Sequence, residues 1–359
     1  MSCQEEYNLV FNRYFQIFVT LCVLSAFSSY FVLIILLKNV FKVYWHWNMK
    51  ILFYTNMFVS FSLATTVNIN FIGLWYRMYN YENSCDVAIK LEYCEWLRRI
   101  FLGSFCLIGL NHWAMFLERL YATLRMSKYE KSLPFLGIIL VVLIIVIAYF
   151  VVKVIMIPED PLEYVPSCLS ISATKIGNGL YWLFTIQSGM EILLAFFQLL
   201  LLRFNRKRCE KVKHLDDNLS EKYQMNENLA VSEQMSPLVI TCSMVIGFYQ
   251  IIAIVLRRFR LDMTKNNYTI LAFAIFIIPH LPLILNLMSV YTLHKQLKAR
   301  DEMAKKAVKI DIERNANFSN DFYNWDEGFN FKYAQKPVKT SRNYFALPKF
   351  FHNKVRTVQ

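Results

Sequence analysis

Seven apolar runs of membrane-spanning length constrain this chain more than any other feature. At roughly 1.5 Å per residue, each run is long enough as a helix to cross a hydrocarbon core of about 30 Å. Backbone amides in lipid must be satisfied within the segment, so runs this long predict helices rather than barrel strands. The expected fold class is an all-α membrane protein, a bundle of seven transmembrane helices. The runs are 14–37, 51–75, 97–117, 133–157, 179–202, 236–256 and 269–293.

The distribution of Lys and Arg predicts the orientation of the bundle. With the N-terminus outside, three interior loops hold 14 basic residues and the tail after residue 293 holds 14 more, whereas the exterior segments hold 8. The positive-inside tendency therefore favours an exterior N-terminus and a cytoplasmic C-terminus. The net charge of +13 then faces the cytosol. Its natural partners are anionic membrane lipids or an acidic protein face, and not nucleic acid.

The tail has two parts that differ in composition. Basic residues between 295 and 309 alternate with apolar ones, which predicts either a short helix on the inner leaflet or a solvated charged extension. We expect residues 1–310 to form the membrane domain with this helix at its end. Residues 311–359 mix Asn, aromatic and charged residues without a period, so we expect a loosely ordered cytoplasmic tail.

Four cysteines fall on the side predicted to be exterior, where disulfides form. Cys3, Cys85, Cys94 and Cys168 allow three complete pairings, between which the sequence does not choose. We favour Cys94 with Cys168, because that bridge would hold the long loop before the fifth helix against the outer end of the third. Pairing of Cys85 with Cys168 stays open.

A few ionisable residues lie inside the apolar runs and need a reason to be there. Glu191 is the only acid deep in any run, and a charge at a helix centre costs about 2.5–3.5 kcal/mol on insertion scales. It should face the bundle interior, either as a ligand contact or as an interhelical hydrogen bond beside Gln187. His112 and His280 are the other candidates. Pro279 should kink the seventh helix.

Several function classes are disfavoured by what the sequence lacks. It contains no phosphate loop, zinc-binding helix or nucleophile elbow, and no His or Cys cluster with metal-ligand spacing along the chain. We therefore expect no enzyme activity, no metal and no cofactor. The seventh run holds no lysine, which excludes a retinal Schiff base there.

Motifs in the interior loops carry a resemblance to a known family. An acid and an arginine, Glu118 and Arg119, directly follow the third run, and Glu118 lies 24 residues after Cys94, which is roughly 36 Å along a helix. This layout resembles seven-helix G-protein-coupled receptors. The loop motifs are similar to those of nematode serpentine chemoreceptors of the Sra superfamily, most nearly the Sre (class epsilon) family. They are HWN at 46–48, ERLYAT at 118–123, YEK at 129–131, NLS at 218–220, YQ at 223–224 and EN at 227–228.

The resemblance implies a chemosensory receptor that binds a small-molecule odorant or pheromone-like ligand and signals through a heterotrimeric G protein. It implies a multi-pass protein of the plasma membrane, such as the ciliary membrane of sensory neurons. Arg119 would pair at rest with Glu118, or with Glu227 or Glu233 near the sixth helix. Candidate coupling residues are Glu118, Arg119, Tyr129, Tyr223 and Glu227. Candidate ligand-lining residues are Trp182, Gln187, Glu191, Tyr249, Gln250 and His280.

The sequence departs from rhodopsin-like receptors in the seventh run, which lacks the Asn-Pro-x-x-Tyr motif. The nearest substitute is Pro282 with Asn286. Two other classes remain as alternatives. A transporter or ligand-gated seven-helix channel would be expected to show internal repeats, broken helices or several intramembrane charges. A structural or trafficking protein would give no ligand-evoked signal.

Overall fold

A computed structural model of the chain describes most of the first 300 residues. The chain divides into two compact units, Met1–Arg300 and Asp301–Gln359. Nearly all of the second unit, including most of the expected inner-leaflet helix and tail, lies outside the described residues, so those expectations stay predictions. The described residues are 3–43, 45–80, 84–125, 129, 135–156, 164–165, 167–169, 176–213, 219–259, 262–299, 301–302 and 305.

Within these residues, seven helices are long and apolar enough to cross a membrane, which confirms the predicted fold class. The two ends of the bundle are named here by their residues, as the disulfide end (Cys94) and the Arg119 end. The helices are called spans 1 to 7 and cover Arg13–Val40, Trp47–Asn80, Leu91–Leu124, Phe135–Ile155, Ile176–Lys213, Leu219–Arg258 and Asn266–Ala299.

Most spans are longer than the apolar runs that predicted them. Span 3 begins at Leu91 and ends at Leu124, whereas its apolar run covers 97–117. Span 6 begins at Leu219, well before the run that starts at 236. Hydropathy reports only the part of a helix in contact with lipid, while the i to i−4 hydrogen bonds continue into the interfacial and aqueous layers.

Span 7 is interrupted where the sequence predicts a kink. A regular helix covers Lys265–Ala274, a 3₁₀ turn follows at Ile278–His280, and helix resumes over 281–299. Pro279 has no amide hydrogen to donate and its ring excludes a regular preceding turn. The break therefore lies on the amino-terminal side of Pro279, and the two helical halves remain parts of one span.

Span 3 is the centre of the bundle, in contact with spans 2, 4, 5 and 6. Span 4 lies at the edge and presents apolar side chains such as Ile139 and Leu143 outward. Span 1 does the same with Leu24 and Phe31. Rows of exposed apolar side chains this long would be an aggregation liability in water, and they fit a lipid environment.

The predicted substitute motif of span 7 joins three helices. The side-chain oxygen of Asn286 accepts a hydrogen bond from Ser60 Oγ of span 2 at 3.2 Å. Its amide nitrogen donates to Ser29 Oγ of span 1 at 3.1 Å. These buried bonds hold the second half of span 7 against spans 1 and 2.

At the disulfide end, a described segment formed by residues 164–165 and 167–169 lies against the start of span 3. Cys94 and Cys168 are joined by a disulfide, the pairing favoured from the sequence. Strand β1 (Ile89–Lys90) pairs antiparallel with strand β2 (Tyr164–Val165). Arg98 adds a hydrogen bond from Nε to the carbonyl oxygen of Cys168 at 2.5 Å. Together these contacts hold the segment against the start of span 3.

Close approach of spans 2 and 4 leads to a first prediction. A Cβ at Gly137 would lie 2.9 Å from the backbone of Asn48, whose side-chain oxygen also accepts the Gly137 amide at 3.1 Å. We expect Gly137→Ala to separate these helices and destabilise the protein by about 1–3 kcal/mol. The readout is the thermal unfolding temperature of the purified protein in detergent.

The matched control is Gly189→Ala on span 5, where an added Cβ meets nothing within 4 Å. Its unfolding temperature should equal or exceed that of the wild type, since Ala favours helix over Gly by up to about 1 kcal/mol. Equal unfolding temperatures for both variants would contradict the close contact of spans 2 and 4.

Candidate functional site

A buried group of polar side chains lies at the Arg119 end and is called the coupling cluster, formed by Glu118, Arg119, Tyr129 and Asn228. Arg119 is 2% exposed. Its Nε and Nη2 donate to the two oxygens of Glu118 at 2.5 and 2.6 Å, a bidentate ion pair. Of the pairings predicted for Arg119, the structure shows the one with Glu118.

The remaining donors of the Arg119 guanidinium reach two other parts of the chain. Nη1 donates to Asn228 Oδ1 on span 6 at 3.1 Å. Nη2 also donates to the Tyr129 hydroxyl at 3.0 Å. Removing one partner of a buried ion pair costs about 3–5 kcal/mol, because the other charge is left uncompensated. The ion pair keeps the Arg119 guanidinium in place within span 3, and the hydrogen bond to Asn228 ties it to span 6.

Tyr129 follows span 3 and is buried in the cluster. Its hydroxyl donates to Glu118, and its ring lies 4.3 Å from the ring of His46 in the loop between spans 1 and 2. Burial raises the pKa of Tyr129 above its usual value, the Arg119 charge opposes that shift, and the Glu118 carboxylate adds to it. The phenol consequently stays protonated at physiological pH and serves as a donor.

Asn228 is the member of the cluster that sequence reasoning missed as a site residue. Besides accepting from Arg119, it donates from Nδ2 to the carbonyl oxygen of Ala122 at 3.3 Å, so it bridges two points of span 3. The preceding residue, Glu227, is close enough to act electrostatically on Arg119. A motif in one helix does not reveal which of two adjacent residues faces the neighbouring helix.

Two other expectations at this end have different outcomes. The expectation that Glu233 pairs with Arg119 is wrong. Glu233 lies on the exposed surface of span 6 and pairs with Arg206 of span 5 at 2.9 Å. Tyr223 belongs to span 6, but its side chain lies outside the described part of the chain.

A second polar group lies deeper in the bundle, between spans 3 and 5. Glu191 is buried, and its Oε1 lies 3.3 Å from His112 Nδ1. Gln187, one turn earlier, donates from Nε2 to the carbonyl oxygen of Phe105 at 3.0 Å. Gly109 makes this approach feasible, because a Cβ there would lie 2.8 Å from Gln187 Nε2. The expectation that Glu191 faces the interior is confirmed by its burial.

The other predicted lining residues do not all join this group. Gln250 of span 6 is buried and donates to Thr185 Oγ1 at 2.7 Å, and the Tyr249 ring packs against Phe184. His280 lies by span 1, with Nε2 3.9 Å from Cys22 Sγ.

Trp182 differs from the rest because its side chain is 62% exposed on the outer surface of the bundle. Its indole therefore does not line the interior. An apolar residue in a helical run gives no sign of which face it occupies unless the neighbouring helix is known.

The sequence has no His or Cys cluster with metal-ligand spacing along the chain. In the folded structure, however, three side chains that can bind a metal come close together. One ligand atom each from His112, Glu191 and Cys242 lie within 4.8 Å of one another, all three residues being buried. They come from spans 3, 5 and 6, so no spacing within one segment could have indicated the group.

The spans, the disulfide end and the coupling cluster together define a seven-transmembrane receptor architecture. A family model described as "Serpentine type 7TM GPCR receptor class ab chemoreceptor" matches residues 3–326. The chain therefore belongs to the class ab serpentine chemoreceptors, a family of multi-pass membrane receptors. The finer prediction of class epsilon is not confirmed, because the matching model is that of class ab.

Individual relatives from Caenorhabditis elegans agree with this family. The chain is 30% identical to Serpentine receptor class alpha-39 over 308 residues, 85% of this chain and 81% of that protein. It is 25% identical to Serpentine receptor class beta-16 over 332 residues, 90% of this chain and 94% of that protein. Serpentine receptor class alpha/beta-14 is 24% identical over 262 residues, 69% and 64% of the two chains.

The coupling cluster generates a second prediction. Tyr129→Phe removes the hydroxyl that contacts both Glu118 and Arg119, and hydrogen bonds to charged groups are worth about 1.5–3 kcal/mol. We expect a loss of stability of about this size near pH 7, seen as a lower unfolding temperature in detergent. Tyr121→Phe, a half-exposed neighbour in ring contact with Tyr129, is the control and should change little.

The raised pKa of Tyr129 gives this prediction a pH dependence. The folded state binds the phenolic proton more tightly than the unfolded state, whose pKa is about 10. The stabilisation is complete below that pH and falls as pH rises towards the folded pKa. The stability difference between wild type and Tyr129→Phe should therefore narrow above about pH 10. A constant difference would show that Tyr129 is not the buried donor.

Proposed function

We propose that this chain is a G-protein-coupled chemosensory receptor, whose disulfide end faces the extracellular fluid and whose Arg119 end faces the cytosol. The observation that carries the proposal is the coupling cluster, in which one buried arginine joins span 3 to span 6. Membership of the class ab chemoreceptors supports the sensory role. The ligand would be a small organic molecule, the partner a heterotrimeric G protein, and the setting the plasma membrane, including the ciliary membrane of sensory neurons.

Charge and redox chemistry support this orientation independently. The segments on the Arg119 side, with the tail, carry 28 Lys and Arg against 8 on the other side. The Cys94–Cys168 disulfide belongs on an oxidising face. A basic cytoplasmic surface would also attract anionic lipid and an acidic face of a partner protein.

The mechanism follows from the bonds that tie the Arg119 end shut. Arg119 donates to Glu118, Tyr129 and Asn228 in this conformation, so all three of its nitrogens are engaged. Moving span 6 away from span 3 would break the Asn228 bridge and expose Arg119 to a G-protein segment. A ligand drives this step only if it binds the open conformation more tightly than the closed one.

The ligand is proposed to bind among spans 3, 5 and 6, on the disulfide side of the coupling cluster. Gln187, Glu191 and Gln250 supply polar groups there, between aromatic rings of Phe105, Phe184 and Tyr249. Gln250 Oε1 is buried and has no hydrogen-bond partner among the described residues. A small, mostly apolar ligand with a hydrogen-bond donor suits this environment.

Orientation is tested by an epitope inserted ahead of Tyr14. In intact, unpermeabilised cells we expect an antibody to reach this epitope, while an epitope at the C-terminus should be stained only after detergent. Staining of the amino-terminal epitope solely after detergent would overturn the proposed orientation. That result would favour a channel of opposite orientation instead.

The role of the coupling cluster is tested without knowledge of the ligand. Asn228→Ala removes both bonds from span 6 to span 3, each worth about 1 kcal/mol or more. A shift of 1–3 kcal/mol changes a two-state equilibrium by roughly 5–150-fold. We expect ligand-independent G-protein activation to rise at least about fivefold, measured as binding of a GTP analogue in membranes with a panel of Gα subunits.

Two further variants make this experiment decisive. Asn226→Ala is the matched control, since the exposed Asn226 side chain contacts Cys209 rather than span 3, and its basal signal should equal wild type. The double variant Asn228→Ala with Arg119→Ala should lose the increase, because the guanidinium that contacts the G protein is gone. An unchanged basal signal in Asn228→Ala at equal surface level would contradict the proposal.

A further inference from the structure

Three side chains that commonly bind transition metals meet in the middle of the bundle. His112 of span 3, Glu191 of span 5 and Cys242 of span 6 are 0%, 1% and 0% exposed. A ligand atom from each lies within 4.8 Å of the other two, and His112 Nδ1 is 3.3 Å from Glu191 Oε1. Imidazole, carboxylate and thiolate together are a donor set typical of Zn²⁺.

Two atoms of this group are left without a hydrogen bond. His112 Nε2 and Glu191 Oε2 are buried and, across the part of the chain that the structure describes, have no hydrogen-bond partner. A buried polar atom without a hydrogen bond has given up its hydrogen bond to water for nothing, which destabilises the folded state, most of all when the group is charged. Such exceptions are uncommon in folded proteins and call for a cause. Here the unsatisfied atoms belong to two of the three clustered metal-binding side chains.

The charge of the buried Glu191 carboxylate also favours a bound cation at this group. A carboxylate deep in a bundle is costly unless a cation pairs with it. Arg119 cannot serve Glu191 in this way, because it is paired with Glu118 towards the other end of span 3. Zn²⁺ bound to ionised Glu191, neutral His112 and the Cys242 thiolate has no net charge. The cation therefore removes the need for an isolated buried charge.

We propose that His112, Glu191 and Cys242 form a zinc site that joins spans 3, 5 and 6. On binding, the Cys242 thiol releases its proton to solvent and its sulfur coordinates the metal, as does an oxygen of Glu191, with no change of oxidation state. Zinc bonds of about 2.0–2.3 Å place tetrahedral ligands about 3.5 Å apart. His112 Nδ1 and Glu191 Oε1 already have this spacing, and one ligand atom from each of the three residues lies within 4.8 Å of the other two.

The site has a defined relation to its surroundings. Three protein ligands leave one tetrahedral position, which a water molecule or a neutral donor atom of a small molecule can take. Gly109 leaves the space for Glu191, because a Cβ there would lie 3.1 Å from Glu191 Oε1. Zinc would also link spans 3 and 6, whose separation the proposed receptor mechanism requires. Metal binding itself does not depend on that mechanism.

The test uses the full-length receptor purified in detergent, freed of metal with a chelator and then titrated with Zn²⁺. We expect one high-affinity Zn²⁺ per chain by elemental analysis, with a rise in unfolding temperature that the chelator reverses. Co²⁺ in place of Zn²⁺ should give the near-ultraviolet absorption of cobalt–thiolate coordination. The Co²⁺ spectrum of the wild type needs no substitution, so it remains informative if a variant fails to fold.

Substitutions then assign the site. Cys242→Ser and His112→Gln should each weaken Zn²⁺ binding at least about tenfold and Cys242→Ser should abolish the Co²⁺–thiolate band. Cys106→Ser and His280→Gln are matched controls, since these residues lie in spans 3 and 7 outside the group, and both should bind as wild type does. Absence of the Co²⁺ band in wild type, or equal Zn²⁺ affinity in wild type and Cys242→Ser, would overturn the proposal.

Discussion

The pairing of buried polar groups across helices is the interaction on which this bundle depends. Water is absent from the hydrocarbon layer, so each amide must be satisfied within its helix and each charge by another side chain. Arg119 meets this requirement through Glu118, Tyr129 and Asn228. Those partners come from span 3, span 6 and Tyr129 after span 3. The contacts that satisfy the buried Arg119 charge therefore also fix how these elements lie against each other.

The two polar groups of the bundle share span 3. His112 and Glu118 are six residues apart, roughly 9 Å along a helix, so the deeper group and the coupling cluster are carried by one rigid element. Span 6 contributes to both, through Cys242 and Asn228. A change in the spacing of spans 3 and 6 near Glu191 would therefore also change the distance between Arg119 and Asn228. This shared scaffold is a physical basis for communication between the proposed ligand site and the coupling cluster.

The disulfide end has a different means of stabilisation. There the Cys94–Cys168 bridge, the short β1–β2 pair and the Arg98 hydrogen bond fix residues 164–165 and 167–169 against the start of span 3. Span 7 is held separately, by the neutral hydrogen bonds of Asn286 to Ser29 and Ser60. A covalent bond thus stabilises the disulfide end, whereas the coupling cluster is held by an ion pair and hydrogen bonds.

The sequence by itself determined the number and type of spans. An apolar run long enough to cross the membrane must satisfy its backbone hydrogen bonds within the run, and a helix does this. It also indicated that Glu118 and Arg119 lie towards the end of span 3, and that the helix of span 7 is interrupted near Pro279. Only the tertiary structure decided which faces of the helices meet. It selected Asn228 over Glu233 as the contact of Arg119, placed Trp182 outward, and brought Cys242 to His112 and Glu191. Helices that are apolar on all sides carry little periodic signal of their inner face, so side-chain partners from different spans are fixed by packing and not by spacing along the chain.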